Sequence, residues 1–121
     1  MACSHPLEPL YRTDRGIVYQ CHRCGWTNLV FGPLILAQDL SGFFELKRLL
    51  ENLEPTGPPE RPAEARCYHV RTANRQIGFA FTQDEIDELR ELVRGTAAML
   101  NLSTLLRETL GSGADKPPPC A

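Results

Sequence analysis

The sequence lacks the long apolar runs and the one-sided charge that would place it among membrane proteins or strong nucleic-acid binders. Its longest apolar stretches, 29–31 and 34–37, are far too short to cross a bilayer. No basic start followed by an apolar run is present, so the sequence predicts no secretory signal peptide and a cytoplasmic location. The formal net charge of −2 argues against strong electrostatic attraction to nucleic acid or to an anionic membrane.

Catalytic patterns are also scarce. The sequence has no glycine-rich loop that would cradle a phosphate, since its Gly-Ser-Gly at 111–113 falls in a Pro-rich tail. Its three histidines, His5, His22 and His69, have no recognisable nucleophile partner in the sequence. We therefore expect that this protein is not an enzyme. A chain of 121 residues, 42% hydrophobic and 23% charged, predicts one globular domain with a modest core.

The cysteines carry the strongest chemical signal. Five cysteines without an export signal favour metal binding over a framework of disulfides. Cys21 and Cys24 form a C-x-x-C pair, and soft ligands at this spacing are typical of structural zinc. Structural zinc takes four ligands, and the upstream Cys3 and His5 supply a second pair. The sequence thus predicts a zinc site made of Cys3, His5, Cys21 and Cys24.

A hairpin explains how these two pairs would meet. Leu10–Arg12 and Ile17–Tyr19 are strand-like, and Asp14–Gly16 supplies turn chemistry between them. The second strand of this hairpin leads into the C-x-x-C, so Cys21 and Cys24 would lie at the same end of the hairpin as Cys3 and His5. This is the arrangement of a zinc-ribbon-like corner.

Two alternatives remain for the cysteines. Cys67 and His69 repeat the C-x-H spacing and could complete the metal site instead. A redox role for Cys21 and Cys24 is the other alternative. Reactive dithiols usually stand at a helix N-terminus, whereas the residues at 25–29 are strand-like, so the activating helix dipole is missing.

The rest of the chain shows the same pattern twice, two strands followed by a helix. The first copy has strands at 26–31 and 34–38, a turn at Gly32-Pro33 and a helix capped by Asp39 or Ser41. The second has strands at 67–73 and 76–81 and a capping box, Thr82 to Glu85. The apolar faces of the two helices comprise Phe43, Leu46, Leu49, Leu50 and Leu53, and Ile86, Leu89, Leu92, Val93 and Ala97.

The two copies can be aligned at a constant offset, which matches Asp39 with Thr82 and Phe43 with Ile86. The alignment predicts an α+β fold in which two ββα units share one antiparallel sheet, with both helices on one face. Glu45 and Glu88 then fall on the outer faces. We expect a single domain at 1–110 and a disordered tail at 111–121. The domain divides into a metal-binding hairpin region at 1–32, ββα units at 26–53 and 67–100, a Pro-rich linker at 54–66 and a short helix at 101–110.

These features resemble a family of small bacterial domains of uncharacterised function. The resemblance rests on the segment Gly16–Gly25, on Leu29–Gly32 before a strand and helix, and on Phe79–Thr82 at the start of the second helix. It covers roughly residues 3–100. It implies a bacterial Cys-x-x-Cys domain and no particular activity.

Two function classes follow. The metal corner, the small core and the missing catalytic set favour a zinc-stabilised protein-interaction or adaptor module, with a protein partner and no membrane association. The alternative is a nucleic-acid-binding zinc ribbon, motivated by Arg12, Arg15, Arg23 and Trp26 in one short segment. The acidic remainder of the chain favours the first class.

Overall fold

The computed structural model describes residues 7–21, 23–71 and 75–109, and side chains as far as residue 106. Within these residues the chain forms six strands and two helices. In chain order they are β1 (Leu7–Arg12), β2 (Gly16–Cys21), β3 (Thr27–Phe31), β4 (Leu34–Gln38), α1 (Leu40–Asn52), β5 (Tyr68–Arg71), β6 (Gly78–Phe81) and α2 (Gln83–Thr109). The predicted α+β class is confirmed.

The first four strands form an antiparallel meander in the order β1-β2-β3-β4. β1 and β2 make the expected hairpin, with a register shift between Pro9 and Tyr11. Gly32 and Pro33 connect β3 to β4, and Gly32 adopts a positive φ of 54°, which glycine accommodates without strain. The inner face of this sheet carries Val18 and Leu29, which are directly opposite each other and fully buried.

The predicted sheet shared by two ββα units is wrong. β5 and β6 pair only with each other and form a separate two-stranded sheet. β2 pairs with the edge of β3 that does not pair with β4, so the strands of the first ββα unit belong to one sheet with the N-terminal hairpin and not with the second hairpin. The second hairpin contacts the sheet through side chains instead: the rings of Phe31 and Phe81 meet edge to face, with centroids 6.1 Å apart.

Both predicted helix starts are confirmed. The Asp39 side chain accepts a hydrogen bond from the Gly42 N–H at 2.8 Å. Thr82 and Glu85 form a reciprocal capping box, in which the Thr82 N–H donates to Glu85 Oε1 and the Glu85 N–H donates to Thr82 Oγ1. These bonds satisfy amide groups that the first turn of each helix leaves unpaired.

α2 differs from the expectation at its far end. It runs without a break from Gln83 to Thr109, so no separate short helix begins near residue 101. Gly95 lies inside this helix against the ring of Tyr11, where an added Cβ would stand 2.3 Å from ring atoms. The glycine therefore allows close contact between α2 and β1 and does not end the helix.

The two helices run antiparallel. Leu92 approaches Gly16 and Gly95 approaches Tyr11, so α2 crosses the sheet in the direction of β2. α1 begins beside the last residues of β4, and its C-terminal end meets α2 near Arg90. There the Arg90 Nε–H donates to the Leu50 carbonyl at 2.8 Å.

The apolar helix faces supply most of the core. Phe43 and Leu50 of α1 pack with Ile86, Leu89, Leu92, Val93 and Ala97 of α2. Leu49, predicted to be on the same apolar face as Phe43, is 45% exposed. Segment 54–66 contains no helix or strand, in agreement with its proline content. None of the helices in the described ranges is long and apolar enough to span a membrane.

Candidate functional site

The C-x-x-C pair lies in a tight turn between β2 and β3. Cys21 is the last residue of β2, and its carbonyl accepts a hydrogen bond from the Gly25 N–H at 3.1 Å. The Cys21 N–H in turn donates to the Trp26 carbonyl at 2.9 Å. Gly25 has a φ of 82°, which lets the chain reverse direction within a few residues. The sequence thus folds locally so that both cysteines stand at one end of the sheet.

The sulfur of Cys21 is buried and lies close to a backbone N–H group. The Arg23 N–H approaches Cys21 Sγ at 3.4 Å, and Cys21 is only 1% exposed. A buried sulfur suits a structural metal better than a catalytic one, because substrate cannot reach it.

Cys24 is in a disulfide bond that involves neither of the other two described cysteines. Those two, Cys21 and Cys67, are buried thiols. A sulfur in a disulfide does not bind zinc as a thiolate does, so metal binding at this corner requires Cys24 in its reduced form. Neither cysteine of the C-x-x-C stands at the start of a helix, so the dithiol lacks the dipole that activates redox cysteines.

The remaining predicted ligands are placed differently. Cys3, His5 and also His22 lie outside the described residues. Across 7–21, 23–71 and 75–109, no group of three or more His, Cys, Asp or Glu side chains is arranged to hold a metal ion. Of the alternative pair, Cys67 packs in the core, and His69 Nε2 lies 3.2 Å from the Arg66 carbonyl.

The basic segment proposed for nucleic acid is partly neutralised. Arg15 forms an ion pair with Glu88 of α2 at 2.8 Å. Arg12 and Arg23 are exposed, and Trp26 is half-buried beside the cysteine turn. The fold thus partly neutralises one of the three arginine charges on which that hypothesis depends.

An apolar groove opens between α1, β4 and the β5–β6 hairpin. Its volume is about 430 Å³. Residues from all three elements line it, chiefly Leu36, Leu46, Leu49, Val70 and Phe79, and Leu89 of α2 contributes to the lining. The first five are partly or largely open to solvent. Apolar side chains held open in a concave surface are the usual lining of a binding site.

Polar groups in this groove are few. Among the described residues of the lining, only Gln38, Glu45 and Arg71 have side chains that carry a charge or an amide. The Gln38 Nε2–H donates to the Gly42 carbonyl at 3.3 Å, so the amide is anchored to the first turn of α1. Glu45 and Arg71, which carry opposite charges, are exposed and leave the interior of the groove apolar.

Sequence reasoning did not find this groove. The apolar positions that line it were assigned to the core of a shared sheet, and only the separation of the second hairpin opens the space between them. No local motif marks such a gap, because its walls come from segments that are distant in the sequence.

Comparison with known proteins adds no assignment: no protein-family model, curated protein or solved structure matches this chain.

Proposed function

We propose that the chain is a protein-interaction module whose apolar groove binds an apolar segment of a partner protein. The observation that carries this proposal is the open, apolar lining formed by α1, β4 and the second hairpin. Solvent contact at Leu49, Val70 and Phe79 is unfavourable, and burial against a partner would remove it.

The composition of the groove favours a protein segment as its ligand. The lining offers no cluster of like charges for a phosphate or a nucleic acid. A volume of about 430 Å³ accommodates a few apolar side chains of a peptide. Glu45 and Arg71 at the groove would contact polar backbone or side-chain groups of the same peptide, as the rim of an interface does.

Zinc is part of this proposal as a structural ion. In the reduced chain, Cys21 and Cys24 would hold it with Cys3 and His5, and zinc would fix the end of the sheet where β2 turns into β3. The N–H to sulfur contact at Cys21 and the tight turn that ends at Gly25 support this assignment.

Panning a random peptide library on the immobilised chain tests the groove. Peptides enriched on the wild type should be apolar, and they should lose binding to Leu49→Asp, which places a charge in the groove. Ile35→Asp is the matched control, because Ile35 is exposed and lies outside the groove lining. Equal binding to both variants would reject the groove. Retention of oligonucleotides that falls steeply with salt would support the nucleic-acid alternative instead.

A further inference from the structure

The C-terminal part of α2 has an unusual composition for an exposed helix. From Gly95 to Leu106 it contains no charged residue. Exposed helices in water normally carry charged side chains, often in ion pairs three or four residues apart. Such pairs occur on α1, where Lys47 pairs with Glu51.

The same part of α2 projects beyond the body of the protein. Leu100 is its last buried residue, and every residue from Asn101 to Leu106 is exposed. The helix continues to Thr109, on the order of 14 Å past Leu100. These turns extend a helix that is already formed and need no new nucleus, but their exposed apolar side chains gain no burial within the monomer.

Large apolar side chains lie along this projection and beside it. Met99, Leu102, Leu105 and Leu106 of α2 are between 38% and 60% exposed. Leu40 and Phe44 of α1 are exposed at the same end of the molecule, because the two antiparallel helices bring the start of α1 to this part of α2. We call these six residues the end surface.

We propose that the end surface binds the end surface of a second copy of this chain, with the two α2 helices packed antiparallel about a two-fold axis. Charge supports a second copy as the occupant. A charged partner would find no complement on the α2 part of this surface, while two neutral α2 segments meet without repulsion even though each chain carries a net charge of −2. A two-fold contact also needs only one self-complementary patch.

Spacing and area fit this arrangement. Met99, Leu102 and Leu106 follow each other at steps of three and four residues, the pattern of an apolar seam between two helices. The end surface offers on the order of 500 Å² per copy, and about 1,000 Å² for a pair, which reaches the lower end of specific interfaces. If association stabilises the turns of α2 beyond Leu100, formation of the dimer and formation of this helical end depend on each other.

Sedimentation velocity on the full reduced chain tests the proposal. The wild type should shift from monomer to dimer between about 1 and 100 µM, the affinity of a weak and transient interface. Leu102→Glu and Leu105→Glu should each weaken association at least about tenfold, because each places a charge in the end surface. Neither side chain is buried in the monomer, so the variants should remain folded.

Ile35→Glu is the matched control, since Ile35 is 69% exposed on β4 and is not part of the end surface. It should dimerise as the wild type does. A wild type that is monomeric at about 100 µM, or a loss of association in Ile35→Glu equal to that in Leu102→Glu, would overturn the proposal.

Amide hydrogen exchange separates a second copy from the chain's own residues 110–121 as the cover. Protection of amides 101–106 should rise with protein concentration in the wild type and should not do so in Leu102→Glu. Protection that is independent of concentration and disappears when residues 110–121 are removed would show that the tail covers the end surface, and would reject the dimer.

Discussion

Glu88 of α2 and Arg15 of the β1–β2 turn are joined by both the side chain and the backbone of the arginine. Arg15 Nε lies 2.8 Å from Glu88 Oε1, and the Arg15 N–H donates to Glu88 Oε2 at 2.6 Å. Thr13 Oγ1 donates to the same Oε2 at 2.9 Å. The sequence placed Glu88 on an outer face, like Glu45, but its side chain is only 15% exposed. Glu88 thus connects the second helix to the first hairpin.

We expect Glu88→Ala to lower the free energy of unfolding by about 1–3 kcal/mol, because it removes charge-assisted hydrogen bonds to the turn. Glu45→Ala is the control: Glu45 pairs with Arg48 on the exposed surface, and its loss should change stability by less than about 0.5 kcal/mol. Urea unfolding of both variants measures the difference. Equal effects would mean that the contact between α2 and the turn contributes nothing beyond a surface pair.

The same contact predicts a dependence of stability on pH. Partial burial acts to raise the pKa of Glu88, but the hydrogen bonds from the Arg15 N–H and from Thr13, together with the Arg15 charge, lower that pKa below its ordinary value. A carboxyl group with a lowered pKa in the folded state stabilises the fold above its unfolded pKa of 4.5, and this contribution is lost as pH falls through the folded value.

We therefore expect the stability difference between wild type and Glu88→Gln to be constant near neutral pH and to shrink below about pH 4.5. Urea unfolding at a series of pH values measures it. A difference that grew on acidification would contradict the assigned direction. The pKa of Glu85 is lowered as well, so Glu85→Gln should show the same trend, and Glu45→Gln serves as the exposed comparison.

Replacement of Gly95 tests the contact between α2 and β1. Alanine has the higher helix propensity by about 1 kcal/mol, so a simple helix argument expects Gly95→Ala to be stabilising. We expect it to be destabilising, because the new Cβ would stand 2.3 Å from the Tyr11 ring. In a Tyr11→Ala background the same replacement should become neutral or stabilising. A double-mutant cycle with no coupling would contradict this packing.

Leu49 and Phe43 were predicted to occupy one apolar face, and the structure separates them. Phe43 is fully buried, whereas Leu49 opens into the groove. Phe43→Ala should cost about 3–5 kcal/mol, as truncation of a large buried side chain does. Leu49→Ala should cost less than about 1 kcal/mol. Thermal or urea unfolding measures both, and similar losses would mean that the groove is closed in solution.

The metal proposal predicts that protein prepared under reducing conditions holds about one zinc ion per chain and that a chelator lowers its melting temperature. Cys21→Ser should abolish the bound zinc. Cys67→Ser is the matched control, because it also removes a buried thiol and should lower stability without loss of zinc. Oxidised protein with Cys24 in its disulfide should take up no zinc until it is reduced. Zinc-free reduced protein would reject the metal site.

The sequence by itself determined the features that depend on neighbouring residues. The bounds of β4, the turn at Gly32-Pro33, the Asp39 cap and the Thr82–Glu85 capping box all involve bonds within a few residues of each other. Helical spacing also identified most of the core, since Phe43, Leu50, Ile86 and Leu89 are buried as expected. The C-x-x-C turn belongs with these features, because its geometry is set between Cys21 and Trp26.

Only the tertiary structure decided the features that depend on distant segments. Two strand pairs with the same local pattern can join one sheet or form two, because the local pattern does not determine which strand edges pair. Here they form two sheets, and the second hairpin packs on the first sheet through Phe81 and Phe31. Gly95 lies inside a continuous helix, and the ring of Tyr11 packs against it from β1. The groove and the contact between Glu88 and Arg15 also depend on segments that are distant in the sequence. Long-range packing outweighed local preference at each of these places, because burial of apolar area contributes more than a single residue's propensity.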